Sequence, residues 1–158
     1  MNDIYKELIE KLISMKLTIS TAESLTGGLL CANLTSVPGA SNAVFCSFTT
    51  YCNEAKHQLV GVPEEILQKK GAVSAETAAA MARGAAKVSC TDIAISTTGN
   101  AGPSASEGKP VGLVYIAVNI KGNITVQECH FSGDRNMIRN QTCLEAAKLC
   151  LTELQRSL

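Results

Sequence analysis

Leu17-Thr18-Ile19-Ser20-Thr21-Ala22-Glu23-Ser24-Leu25-Thr26-Gly27-Gly28-Leu29-Leu30-Cys31-Ala32 is the stretch that decides the fold of this chain. Leu17 to Thr21 reads as a short strand. Hydroxyls and glycines at Ser24, Thr26, Gly27 and Gly28 then stand directly before the apolar run Leu29 to Ala32. That order marks a strand, a loop and the start of a helix. Upstream, Ile4, Leu8, Ile9, Leu12 and Ile13 recur at helical spacing behind an Asp3 cap, so an amphipathic helix precedes the strand. Downstream, Pro38-Gly39 closes the second helix. Ala43 to Tyr51, rich in Val, Phe and Thr, is a strand that runs into a helix start at Asn53. Pro63 begins another short helical piece, and the Ala-rich segment Ser74 to Lys87 is a helix capped by Ser74. Asp92 to Thr98 is strand-like, and the loop after it, Gly99 to Pro110, has a Gly, Pro and Ser content that forbids regular structure. Val111 to Asn119 and Ile124 to Phe131 are β-rich runs around the hairpin signal Lys121-Gly122-Asn123. Arg135 to Leu154 finishes as a helix capped near Asp134. Helices alternating with strands, with one late hairpin, imply a layered α/β domain with a mixed sheet.

Composition narrows the function classes. A chain of 158 residues with 46% hydrophobic and 18% charged residues is one globular domain with a sizeable core. Fourteen Lys and Arg balance 14 Asp and Glu, so no basic face exists to neutralise nucleic-acid phosphates or to hold an anionic membrane. Trp is absent and aromatics are 4%, which leaves no base-stacking platform. Ser24 to Asn53 carries no charge and is long enough to cross a bilayer. Its Gly27, Gly28, Asn33, Pro38, Gly39 and Asn42 prevent a single apolar helix. The opening Met1 to Glu7 is charged where a signal peptide needs an apolar run. Seven cysteines are an odd number with no C-x-x-C pair and no His at ligand spacing, which fits neither a zinc site nor a disulfide framework. They read as small core hydrophobes of a reduced, cytoplasmic protein, with Cys52 the exception to watch.

Ligands of open α/β sheets gather at the carboxyl ends of strands, and three loops there are unusually polar. The first holds Ser24, Thr26, Gly27 and Gly28 at a helix N-terminus, where backbone N–H groups either hold an anion or oxyanion or are met by an ordinary hydroxyl cap. The second holds Tyr51, Asn53, Glu54 and Lys56, although a lone lysine at such a place is most often a solvated one. The third, Thr97-Thr98-Gly99-Asn100-Ala101-Gly102-Pro103, lacks the Gly-Lys-Ser/Thr ending of a P-loop. Near the C-terminus, Arg135 and Arg139 lie four residues apart on one helix face. They suit a phosphate there, or pair with surface carboxylates. His57 and His130 have no Ser or Cys partner at a recognisable spacing, which disfavours a Ser-His-Asp triad. Serine with lysine is then the simplest nucleophile and base available.

Several segments together carry a resemblance: Ala22-Glu23-Ser24-x-Thr26-Gly27-Gly28, Val37-Pro38-Gly39-Ala40-Ser41, Thr50-Tyr51-Cys52-Asn53-Glu54-Ala55-Lys56-His57, Gly71-Ala72-Val73-Ser74, Thr98-Gly99-x-Ala101-Gly102-Pro103, Lys109-Pro110-Val111-Gly112 and Gly133-Asp134-Arg135. In this order, over nearly the whole chain, they resemble the CinA C-terminal domain, which is also found alone as nicotinamide-nucleotide amidohydrolase. The resemblance implies a three-layer α/β/α sandwich spanning residues 1–158 as one domain. It also implies deamidation of nicotinamide mononucleotide, with Ser24 as nucleophile and Lys56 as its base. No metal or redox cofactor is required. The oxyanion would be held by backbone N–H groups near Thr26 and Gly27. Recognition of a small nucleotide would fall to Tyr51, Asn53, Thr98, Gly99, Gly102, Arg135 and Arg139. The family also allows a homodimer. The N-terminal nucleotide-processing domain of full CinA proteins is not expected, since about one helix precedes the motif. The chain departs from the family's usual pattern at Asn100, where an apolar residue is common, and at Ser104-Ala105-Ser106, where a glycine-rich run is common. Two other functions remain open on the sequence: a non-catalytic nucleotide-binding or regulatory module, and an amidase for another small carboxamide.

Overall fold

The structure, a computed structural model, describes residues 3–157; Met1 and Asn2, read above as part of a charged opening, lie outside them. In chain order the elements are α1 (Asp3–Met15), β1 (Ile19–Glu23), α2 (Leu29–Thr35), a 3-10 turn (Ala40–Asn42), β2 (Val44–Thr49), α3 (Asn53–Val60), α4 (Glu64–Lys70), α5 (Ala75–Ser89), β3 (Ile93–Gly99), β4 (Leu113–Ile120), β5 (Asn123–His130) and α6 (Arg135–Arg156). The strands form one sheet in the order β2-β1-β3-β4-β5, parallel across β2, β1 and β3 and antiparallel across β3, β4 and β5. Helices α1, α2 and α6 cover one face and α3, α4 and α5 the other, which is the three-layer α/β/α sandwich with a mixed sheet.

Burial explains the strand sequences. β1 and β3, central and covered on both faces, have side chains buried along almost their whole length. Apart from the terminal Glu23 and Gly99 they read as continuous runs of Ile, Ala, Ser and Thr without polar alternation. The caps follow the sequence: Ser74 Oγ accepts the Thr77 N–H at the start of α5, and the Asp134 carboxylate accepts the Met137 N–H at the start of α6. Gly84 lets α5 touch the end of α3, since a Cβ there would stand 1.6 Å from the Val60 carbonyl oxygen. No helix among the described residues is long and apolar enough to cross a membrane.

Most element ends differ from the sequence reading by one to three residues, and three of them have a clear local cause. Strand β1 starts at Ile19 rather than Leu17, because Lys16 adopts φ 57 and the Leu17 N–H turns back to the Leu12 carbonyl at 2.9 Å, closing α1. Asp3 lies inside the first turn of α1 rather than ahead of it. Strand β4 starts at Leu113 rather than Val111, because Gly112 at φ 91 bends the chain and donates to the Asn100 carbonyl.

The topology makes one place special. From β1 the chain crosses through α2 to β2 on one side, then through α3, α4 and α5 to β3 on the other. The loops after β1, β2 and β3 therefore meet at a switch point, where open α/β sheets bind ligands.

Candidate active site

Ser24 is the first residue beyond β1. Its N–H donates to the Thr97 carbonyl of β3 at 3.0 Å, and the Thr50 N–H beyond β2 donates to the Glu23 carbonyl at 2.8 Å. The sheet ladder is thus carried one residue past its formal end on both sides of the serine. Lys56, on the first turn of α3, reaches back between them. Its Nζ lies 3.1 Å from Ser24 Oγ and 3.0 Å from the Thr50 carbonyl oxygen. Lys56 is 1% exposed, so it is a buried base candidate and not the solvated helix lysine that its position alone suggested. Burial pushes its pKa below the ordinary lysine value, while the charges of Cys52 and Glu107 push it partly back.

The pair opens into a cavity of about 290 Å3, small but within reach of the range of ligand sites. Ser24, Tyr51, Asn53, Lys56, Thr98, Gly99, Gly102 and Arg135, all singled out in the sequence, line it. Arg135 donates from Nη1 to the Gly102 carbonyl at 2.6 Å and from Nη2 to the Tyr51 hydroxyl at 2.7 Å. A guanidinium has five N–H donors, so three remain for a ligand. Neither Arg135 nor Arg139 makes a carboxylate pair among the described residues.

Three residues of the sequence reading are not brought to the cavity. Arg139 donates from Nε to the Leu25 carbonyl at 2.9 Å and from Nη2 to the Thr26 carbonyl at 3.0 Å, so it braces the serine loop from behind. Thr26 is buried, with its hydroxyl 2.7 Å from that of Thr97. The Gly27 N–H is spent on the Ser24 carbonyl at 3.0 Å and is no oxyanion donor. Among the described residues the amides of Leu25 and Thr26 have no acceptor.

The helix N-terminus expected to receive an anion already holds one. Glu23, fully buried, accepts the N–H groups of Gly28, Leu30 and Cys31 at 3.2, 2.9 and 3.0 Å, together with the hydroxyls of Thr21 and Ser47. Five donors and the positive end of α2 compensate the buried carboxylate. That terminus is closed to a substrate phosphate, and Glu23 is the functional residue the sequence reading missed. The available signal was Gly28: as N-cap it brings no capping side chain, so an acceptor had to come from elsewhere.

Of the seven cysteines, Cys129, Cys143 and Cys150 are buried as expected of core residues, whereas Cys31 and Cys46 are half-buried and Cys52 and Cys90 exposed. Cys52 is the N-cap of α3, its Sγ accepting the Ala55 N–H at 3.5 Å.

The fold is thus an α/β sandwich with a buried serine and lysine lining a cavity at its switch point. Comparison with known proteins makes this more specific. The profile of the CinA C-terminal domain matches residues 1–154. A protein of Caldicellulosiruptor saccharolyticus, named as competence-damage inducible, is 51% identical over 152 residues, covering 96% of this chain and 36% of its own length. A crystal structure of a CinA superfamily protein from Klebsiella pneumoniae 700603 superposes with TM-score 0.96 at 30% identity, covering 99% of each chain. A competence/damage inducible protein from Agrobacterium tumefaciens gives 0.92 at 38% identity, covering 95% of this chain and 93% of its own. The chain belongs to the CinA C-terminal domain family. It spans about a third of the length of the curated relatives it matches.

Proposed function

We propose that this chain is an amidohydrolase that converts nicotinamide mononucleotide to nicotinate mononucleotide and ammonia, with Ser24 as nucleophile and Lys56 as general base. The observation that carries the reading is the buried 3.1 Å contact between Lys56 Nζ and Ser24 Oγ. A neutral lysine amine has two hydrogens and a lone pair. One hydrogen goes to the Thr50 carbonyl, and the lone pair accepts the Ser24 hydroxyl. Desolvation favours that neutral form, which a base near physiological pH requires.

Ser24 Oγ attacks the carboxamide carbon as its proton passes to Lys56. The resulting oxyanion meets the unpaired amide of Leu25, which lines the cavity; such a donor is typically worth ~3 kcal/mol. The tetrahedral intermediate collapses, Lys56 returns the proton to the leaving nitrogen, and ammonia departs. Water then attacks the acyl-serine ester, Lys56 takes one of its protons and gives it to Ser24, and the product leaves as the carboxylic acid, which loses its remaining proton to solvent or to the released ammonia to become the carboxylate. Arg135, with three unspent donors on the cavity wall, is the group for the substrate phosphate.

Ammonia release from nicotinamide mononucleotide, its riboside and a panel of other small carboxamides tests the reading. Release from the nucleotide well above the panel is expected. Ser24→Ala and Lys56→Ala should each lose about 1,000-fold or more, and the double variant should be little worse than either. No release from the nucleotide, with release from another amide, would transfer the mechanism to that substrate. No release from any of them would leave a binding module.

A further inference from the structure

The loop between β3 and β4 forms the outer wall of the cavity through Asn100, Ser104 and Ser106. Its tip is a tight turn, Ser106 to Lys109, with Glu107 at φ 56 and Gly108 at φ 68 and the Lys109 N–H returned to the Ser106 carbonyl. Two side chains of that turn reach across to the segment before α5. The Glu107 carboxylate accepts two successive backbone N–H groups, Ala72 at 2.8 Å and Val73 at 3.0 Å. Lys109 donates to the carbonyls of Lys70 and Val73 and stands 3.6 Å from Glu107. Gly71 makes room: a Cβ there would lie 2.7 Å from both carboxylate oxygens. Ala72 and Val73 themselves line the same cavity as Lys56.

We propose that Glu107 is a positioning residue of the Ser24–Lys56 site: its carboxylate clasps the β3–β4 loop onto Ala72 and Val73, and so closes one wall of the cavity and fixes a negative charge on that side of the lysine. The inference rests on the proposed role of Lys56 but concerns a separate contact. Burial raises the pKa of Glu107, yet the amides of Val73 and Ala72 and the charge of Lys109 outweigh it and bring it below the usual glutamate value. The clasp is therefore charged throughout the neutral range. Around Lys56 the other titratable groups are Cys52 on α3, Tyr51 before it and Arg135 from α6. Cys52 and Glu107 are the two whose charge favours protonated Lys56 and opposes its desolvation.

The test uses the full chain with 13C,15N-labelled lysine, the Lys56 signals being assigned with Lys56→Arg, and follows Lys56 by NMR as pH is varied. In Glu107→Gln the Lys56 titration is expected to move to lower pH than in the parent, and the Ala72 and Val73 amides are expected to lose hydrogen-exchange protection. In Lys109→Met, which leaves the carboxylate in place, Lys56 should not move downward. A Lys56 titration unchanged in Glu107→Gln overturns the proposal, even if the amides lose protection, because the clasp would then be structural alone. The readout is Lys56 itself, so absence of amidase activity in the parent would refute the proposed function while leaving this result interpretable.

Discussion

Around Ser24 the cavity is held by main-chain ladders and buried groups. Ser24 N–H and the Glu23 carbonyl complete sheet bonds, five donors converge on the Glu23 carboxylate, and Arg139 ties down the carbonyls of Leu25 and Thr26. Across the cavity the β3–β4 loop is held mainly by side chains. Asn100 donates to the carbonyls of Ser106, Lys109 and Pro110 and accepts from the Ser106 hydroxyl, and Glu107 and Lys109 grip residues 70–73. One wall is fixed before any ligand arrives, as the proposed nucleophile and base would require. The other is fastened by a few side-chain contacts. Asn100 and Ser106 form one clasp, the Ser106 hydroxyl donating to Asn100 Oδ1.

The sharpest way to break this contrast is to damage the fixed wall without touching Ser24. Glu23→Ala strips five donors of their acceptor, and each buried unpaired group costs ~1–3 kcal/mol. A net loss of about 3 kcal/mol lowers Tm by roughly 6–12 °C in a chain of this size. Thermal unfolding and ammonia release should both show the loss, with kcat falling far more than KM rises. A Glu23→Ala protein with parental Tm would mean that the network around α2 carries no weight.

A smaller effect separates the two arginines. Arg135→Ala is expected to lower kcat/KM for the nucleotide about tenfold, the worth of one charge-assisted contact, with little change for the riboside. Arg139→Ala should lower turnover of both substrates alike, since its contacts are with the serine loop. Steady-state kinetics on the two substrates decide it. If Arg139→Ala selectively spares the riboside, the phosphate is held by Arg139 and the assignment here is reversed.

The smallest expected effect is on stability, and its sign is set by Lys56. A lysine whose folded pKa is depressed binds fewer protons than the unfolded chain does between that pKa and the ordinary ~10.4. Folding is therefore penalised below this window and relieved as pH rises through it. Lys56→Met removes the penalty, so the variant should have a higher Tm than the parent at neutral pH, with the difference shrinking toward pH ~10.4. Thermal melts over pH 6 to 11 measure it. A gain independent of pH would show that Lys56 is not held with a lowered pKa.

How much of this the sequence disclosed depends on the range of each interaction. Ser74 and Asp134 cap helices through contacts three residues away, and both were legible as caps. The alternation of strands and helices led directly to the layered fold. Arg139 misled because helical spacing places it beside Arg135, whereas its partners, Leu25 and Thr26, lie more than a hundred residues away. Position alone made Lys56 a surface residue, and only the resemblance marked it as a base, because nothing local shows that α3 turns its one lysine inward between β1 and β2. Glu107 was invisible for the same reason: its partners, Ala72 and Val73, are about 35 residues upstream, and no periodicity links them.

The central claim is that Ser24 forms a covalent acyl intermediate with Lys56 as its base. Its most direct test is acid-quenched mass spectrometry of the protein mixed with nicotinamide mononucleotide. The account predicts an acyl adduct on the peptide containing Ser24, absent in Ser24→Ala and formed far more slowly in Lys56→Ala. Full turnover of the nucleotide by a verified Ser24→Ala protein would contradict it.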